Sequence, residues 1–338
     1  MTSKTTHQLG PQTIHTVWDR GIPPVLTINS GDTVVFRTLD ASFGNAARRV
    51  QAGEQQGLKP EFAQLIADSA YPERPHSGMR GHPLTGPVFV RGAEAGDALI
   101  VEVVDIRSAP WGWTSCRPKG IGLLDAELAE QGGLTEQVWH YWDLRGGTHA
   151  PFGEKIRVPL APFCGVMGLA LAAEGPHVTS PPRQVGGNMD VRQLVKGSVL
   201  ELPVEVEGAL FSVGDVHAAQ GDGEVCGTGI EMEADVTLRF SVRQQAEIQT
   251  PQLRTPRALD QHLDSAGWFA TTGHAPDLME AARIALRSML RWLSKEHGLS
   301  IPDAYILSSA CVDLKISQVV DAPNWTVSAF VPLRIFEE

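Results

Sequence analysis

The sequence predicts an α+β protein that is mainly β, with sandwich- or barrel-like hairpin repeats through most of the chain and an α/β portion at its C-terminal end. Three observations carry this. Glycine (34) and proline (23) are abundant together among 338 residues, and helix interiors tolerate neither, so the chain is rich in turns. A Gly-containing turn followed by an alternating apolar run recurs in PPVLTINSGDTVVFRTLD, GPVFVRGAEAGDALIVEVVDI and VRQLVKGSVLELPVEV. Near the C-terminal end the apolar period lengthens to that of a helix in PDLMEAARIALRSMLRWLSKEH.

Taken in order, Val34 and Phe36, Leu99 and Val101, and Val199 with Leu202 mark three strands, each entered from a turn that glycine's open backbone suits. Residues 41–81 break the pattern; they are polar, with Arg48-Arg49 and Gln55-Gln56, and read as a long surface excursion. Residues 107–150 hold Trp111, Trp113, Trp139 and Trp142, which either wall a pocket or fill an irregular core. Leu278, Ala281, Ala282, Ala285, Met289 and Leu293 share one face of a helix, with Pro276 in its first turn and Gly298 at its stop. A short helix follows Ser300, then strands near 312–320 and 325–336 separated by DAPN, with Asp313 and Lys315 facing solvent or each other. The expected division is 1–110, a central β portion 111–245, and an α/β portion 246–338.

Composition excludes several classes. Apolar residues at 42% and charged residues at 20% exclude a disordered chain. Lys and Arg number 28 against 39 acids, a net charge of −11, so no nucleic-acid surface is expected. No apolar run approaches the roughly 20 residues that span a bilayer, and residues 1–20 lack the apolar core of a leader, so we expect a cytoplasmic protein with no membrane partner. Cys116, Cys164, Cys226 and Cys311 are far apart, which argues against a disulfide framework or a zinc knuckle. Symmetric homo-oligomers are the default among soluble oligomers, and we expect one.

The densest polar cluster lies between residues 186 and 224, in GGNMDVRQL and GALFSVGDVHAAQGDGEVCGTGIE. Asp215 and His217 are two apart after an apolar run, which puts both on one face of a strand. If Gln220-Gly221 turns a hairpin, Ala219 pairs with Asp222 and His217 lies opposite Glu224. One imidazole with two or three carboxylates suits zinc or another divalent ion; a surface hairpin with ordinary polar residues reads the same spacing equally well. No G-x-S-x-G elbow is present. Cys164 sits in the apolar APFCGVMG and reads as an inert small hydrophobe, and Cys226 as a packing residue. A copper-type β-sandwich carrier, with His217 and Cys226 or Met232 as ligands, is the rival reading, but such sites want two histidines and one cysteine converging.

These stretches, with IPPVLTINSGDTVVFRTLDA, HPLTGPVFVRGAEAGDALIVEV and AYILSSACVDLKISQVVDAPNW, make the chain resemble the acetamidase/formamidase family from about residue 14 to residue 336. The paired GGNMD and GDVHAAQGDGE motifs are the specific part, and ISQVVDAPNW favours the formamidase side. The resemblance implies hydrolysis of short aliphatic amides to a carboxylate and ammonia at a metal-supported site. It implies that this site is built around Asn188, Asp190, Asp215, His217 and Glu224. Within it we expect Asp190, Asp215 and His217 to hold a divalent ion, zinc or calcium, Glu224 and Asn188 to act as catalytic groups, and Gln220 and Trp113 to lie on the substrate side. A relative that has lost catalysis is the other reading; the intact GDVHAAQGDGE speaks against it.

Overall fold

The computed structural model describes residues 4–72, 81–256 and 267–336. Strands dominate it, several sheets form and none closes into a barrel. The chain divides into two compact units, each discontinuous: Met1–Ala109, Pro162–His217 and Met232–Leu259 form the first, and Pro110–Ala161, Ala218–Glu231 and Asp260–Glu338 the second. No helix among the described residues is long and apolar enough to cross a membrane.

The first unit is a sandwich. One sheet orders its strands Thr6–Leu9, Thr33–Thr38, Ala234–Arg243, Ala98–Ser108, Val199–Pro203 and Gln252–Arg254. Val34, Phe36, Leu99 and Val101 are fully buried on it, as the alternation predicts. In the Val199–Pro203 strand the buried apolar residues are Leu200 and Leu202, while Val199 is half-buried. The second sheet places Phe163–Gly168 between Gly186–Asn188 and Phe211–His217; beyond the latter lies Leu84–Val90, itself paired with Ile14–His15 and Leu26–Ile28. Phe36 and Phe240 from the first sheet meet Phe211 from the second, with all three ring pairs edge-on at 6.0, 6.2 and 5.0 Å. Burying each such side chain contributes about 1.5–3 kcal/mol, so this contact is a main tie between the two sheets.

The excursion at 41–81 is not all loop. It forms helices Asn45–Gln51 and Pro60–Ala67 that bury Ala46, Ala47, Phe62 and Ile66; residues 73–80 lie outside the described part. Both helices are too short to show a clear period, which is why the sequence reads as polar coil.

In the second unit, Trp111–Cys116 pairs with Val138–Asp143 and buries Trp111, Trp113 and Trp142. Trp113 packs on Trp139 at 5.0 Å, and Trp142 donates from Nε1 to Thr114 Oγ1 at 2.9 Å. The Trp142 ring fills a core. The long helix runs Leu278–His297, capped by Asp277, whose carboxylate accepts from Glu280 N, and ended by Gly298 at φ 67°. Pro276 therefore stands just before the cap, not in the first turn, and Leu278 is only half-buried. Helix Ile301–Cys311 follows its Ser300 cap and is buried from Ala304 onward. Strands Asp313–Gln318 and Trp325–Pro332 pair antiparallel, and an unanticipated third strand, Trp268–Ala275, pairs with the latter. Asp313 does not face solvent: it is fully buried and accepts from Asp222 N at 3.0 Å. Lys315 instead sets its ammonium over the rings of Trp268 and Phe330 at 5.7 and 5.6 Å.

Candidate active site

The carboxylate–imidazole cluster expected from the motifs forms within the first unit. The Phe211–His217 strand ends on Asp215 and His217, both buried, with His217 Nε2 3.4 Å from Asp215 Oδ1. Phe163, opposite His217 in the neighbouring strand, meets the imidazole edge-on at 5.1 Å and fixes its ring plane. Asp190 arrives from a different segment. Its amide and that of Met189 both donate to Gly165 O, at 3.3 and 3.0 Å, which anchors the residues after Gly186–Asn188 to the Phe163–Gly168 strand. The ligand atoms of Asp190 and His217 then lie within 4.8 Å.

Gly165 makes this convergence possible. A Cβ there would stand 2.5 Å from Asp190 Oδ1, 2.8 Å from Asp215 Oδ2 and 3.0 Å from Asp215 O. Asp190 and Asp215 also hold left-handed backbones, at φ 51° and 53°. Such angles are uncommon outside glycine and cost energy, and they concentrate where a side chain must be aimed. Burial pushes the Asp190 carboxyl up to about 6; the Asp215 charge adds to this, and His217 and His82 oppose it. Two carboxylates and an imidazole turned toward one another, Asp215 and His217 buried and Asp190 half-buried, are each good ligands, and with the carboxylates repelling one another they fit a divalent cation.

His82 is the participant the sequence reading missed in this unit. Its amide donates to Thr179 Oγ1 at 2.6 Å, and its buried Nδ1 has no hydrogen-bond partner among the described residues. The signal available was a histidine just ahead of a strand in HPLTGP. Asn188 pairs with Val166, and its Oδ1 is buried without a hydrogen-bond partner among the described residues. Cys164 is fully buried between Phe163 and Gly165, and burial pushes its thiol up to about 12.

The remaining candidates belong to the second unit, and the expected hairpin is corrected there. Ala218 N donates to Ile230 O and Ile230 N to Ala219 O, at 2.8 and 2.9 Å, so the chain closes around a long loop and not at Gln220-Gly221. Ala219 does not pair with Asp222, and the cross-strand position assigned to Glu224 is lost. The cause is tertiary: Gly221 N donates to Ser309 O at 2.9 Å, and a Cβ on Gly221 would stand 2.0 Å from Val312 O. Within the loop Glu224 takes φ 44°, with its amide on Gly221 O. Gln220 and Trp113 are buried, the latter at 4% exposure. Glu231, passed over in the sequence, is buried opposite Trp113 and accepts from Gly229 N at 2.9 Å. Burial also pushes the Cys226 thiol up to about 12.

A β sandwich that aims two strained aspartates and a histidine at one another carries a carboxylate–imidazole cluster of the kind that hydrolases use. The acetamidase/formamidase family profile matches residues 76–176 and 170–338. A formamidase of Methylophilus methylotrophus is 26% identical over 96% of this chain and 89% of its own. An acetamidase structure from Bacillus halodurans shares 30% identity with a TM-score of 0.60, covering 97% of both chains. A predicted acetamidase/formamidase structure from Thermoanaerobacter tengcongensis shares 28% with a TM-score of 0.62, covering 98% of this chain and 97% of that one. The chain belongs to the acetamidase/formamidase family and is an amide-hydrolysing enzyme.

Proposed function

We propose that the enzyme hydrolyses short aliphatic amides, formamide first, to a carboxylate and ammonia, at a centre where Asp190, Asp215 and His217 hold a divalent metal ion, zinc before calcium. The observation that carries the reading is the approach of Asp215 to His217 at 3.4 Å beside the space that Gly165 leaves for Asp190. When bound, such an ion supplies Lewis acidity toward the amide oxygen and lowers the pKa of water.

The protein's own groups do the rest. Asp190 and Asp215 offer carboxylate oxygens and His217 offers Nε2. Asn188 Oδ1, an acceptor without a hydrogen-bond partner among the described residues, suits the N–H of a primary amide. Glu224 remains our candidate for proton transfer on membership of the GDVHAAQGDGE motif, seven residues after His217, and no longer on hairpin register. Its carboxylate would take a proton from water and deliver it to the nitrogen, which leaves as ammonia and not as an amide anion. Gln220 and Trp113 are proposed to shape the acyl side. Discrimination of formyl from acetyl by steric filling is worth about 1–3 kcal/mol, so preference will be graded. The four free cysteines accord with a reducing, cytoplasmic setting, and we expect a homo-oligomer.

The test is ammonia release from formamide, acetamide, propionamide and urea, before and after chelation and after return of zinc, calcium or manganese. Turnover of a short amide that chelation removes and one of these ions restores supports the reading. Turnover indifferent to chelation removes the metal from it.

A further inference from the structure

A serine and a histidine outside the cluster form a pair whose hydrogen-bond polarity is fixed. His15 Nδ1 lies 2.7 Å from Val17 O and its Nε2 lies 2.8 Å from Ser212 Oγ. Val17 O only accepts, so the neutral ring carries its proton on Nδ1, and Nε2 accepts the Ser212 hydroxyl. Burial holds this imidazole neutral, with its pKa lowered to about 4. The arrangement is that of a nucleophile and its base, yet Ser212 is fully buried, so no substrate reaches it.

What the pair does follows from where it lies. Ser212 is in the Phe211–His217 strand, three residues before Asp215. Along its partner Leu84–Val90 the register jumps: Phe211 faces Val88 but Val213 faces Thr85, so Gly86 and Pro87 stand together opposite Ser212. This is a bulge, and bulges set the twist and the aim of a strand. His15 pairs with Leu84 on the far side of that strand, and its ring reaches over Gly86 to Ser212. A Cβ on Gly86 would stand 2.5 Å from Ser212 Oγ, so glycine is required beneath the bond. A one-residue slip of a strand turns every side chain to the opposite face. Here it would take Asp215 and His217 away from Asp190.

We propose that His15 is a positioning residue of the hydrolytic centre: by accepting the Ser212 hydroxyl across Gly86, it locks the phase of the strand that presents Asp215 and His217. The proposal rests on the reading that these two residues belong to the centre.

The test uses full-length protein with 15N-labelled histidine and the variants His15→Leu, Ser212→Ala, their double and His15→Gln. His217 ring resonances are recorded in metal-free protein, and zinc affinity is measured by competition with a chelator. Each single variant is expected to move the His217 resonances and weaken zinc binding by about ten- to hundredfold, as loss of a group that orients a ligand does. The double should be no worse than the poorer single, and His15→Gln, which keeps an acceptor for the hydroxyl, should recover most of the affinity. If His15→Leu does not fold, Ser212→Ala, which removes one oxygen, decides. Variants that melt earlier yet keep wild-type His217 resonances and zinc affinity would overturn the proposal, as would additive losses. A wild type that binds no zinc would defeat the metal reading alone, because the His217 resonances still decide the role of His15.

Discussion

Gly165 leaves the space that the Asp190 carboxylate occupies: a methyl group there would stand 2.5 Å from Asp190 Oδ1. It would also press on Asp215 O, a backbone atom that cannot swing aside, at 3.0 Å. Gly165→Ala is therefore expected to disturb both carboxylates together. We predict a stability loss of about 1–3 kcal/mol from the overpacking and a fall in metal affinity beyond that shown by Cys164→Ala next door. Calorimetry with and without metal measures both; a Gly165→Ala enzyme with unchanged metal affinity would remove Gly165 from the account.

Asp190 governs a pH dependence. Burial, with Asp215 nearby, raises its carboxyl from 3.8 to about 6 in the metal-free fold. A carboxyl raised on folding contributes stability that is fully present below 3.8 and lost as pH rises through about 6, because the fold holds the proton that the unfolded chain has released. A cation competes with that proton. The rise in Tm on adding metal should thus be large at pH 7 to 8 and shrink below about 6, and melting curves of chelated and reloaded protein across this range check it. A metal-induced rise that stays flat down to pH 5 would contradict this assignment.

We predict that neither thiol near the motifs is the nucleophile. Burial holds both Cys164 and Cys226 near 12, so neither is a thiolate at neutral pH. Cys164→Ala and Cys226→Ala should each keep most of kcat. A trapped thioester at either position, or a loss of several hundredfold, would point to a covalent route.

For Glu224, substitution by Gln keeps size and hydrogen-bonding reach while removing proton uptake. If Glu224 carries the proton, kcat should fall by about a hundredfold to ten-thousandfold with zinc stoichiometry unchanged. A parallel loss of zinc would make it a ligand, and normal kcat a residue of the loop alone. Glu231→Gln is the companion variant, since its amide oxygen can still accept from Gly229 N.

The parts legible in the sequence are those set by local period and punctuation. Gly298 ends the long helix where the sequence places its stop, and Val34 with Phe36 or Leu99 with Val101 declare a strand's buried face, because a stop residue and alternation act within a few residues. The spacing of Asp215 and His217 was legible for the same reason. The hairpin at Gln220-Gly221 was not, since Gly221 N is claimed by Ser309 O, 88 positions away in sequence. Asp313 reads as a surface residue until Asp222 N is seen to donate to it. The meeting of Asp190 with Asp215 depends on two left-handed backbones and on Gly165 in a third segment, and no periodicity carries that information.

The central claim is that the amidase centre is a metal site built on Asp190, Asp215 and His217. It is tested most directly by assaying formamide hydrolysis in enzyme whose metal content is measured on the same sample. The account predicts that activity falls with the divalent metal as it is stripped and returns in proportion as zinc is added back, up to a fixed stoichiometry per chain. Full activity in enzyme shown by elemental analysis to hold no divalent metal would contradict it.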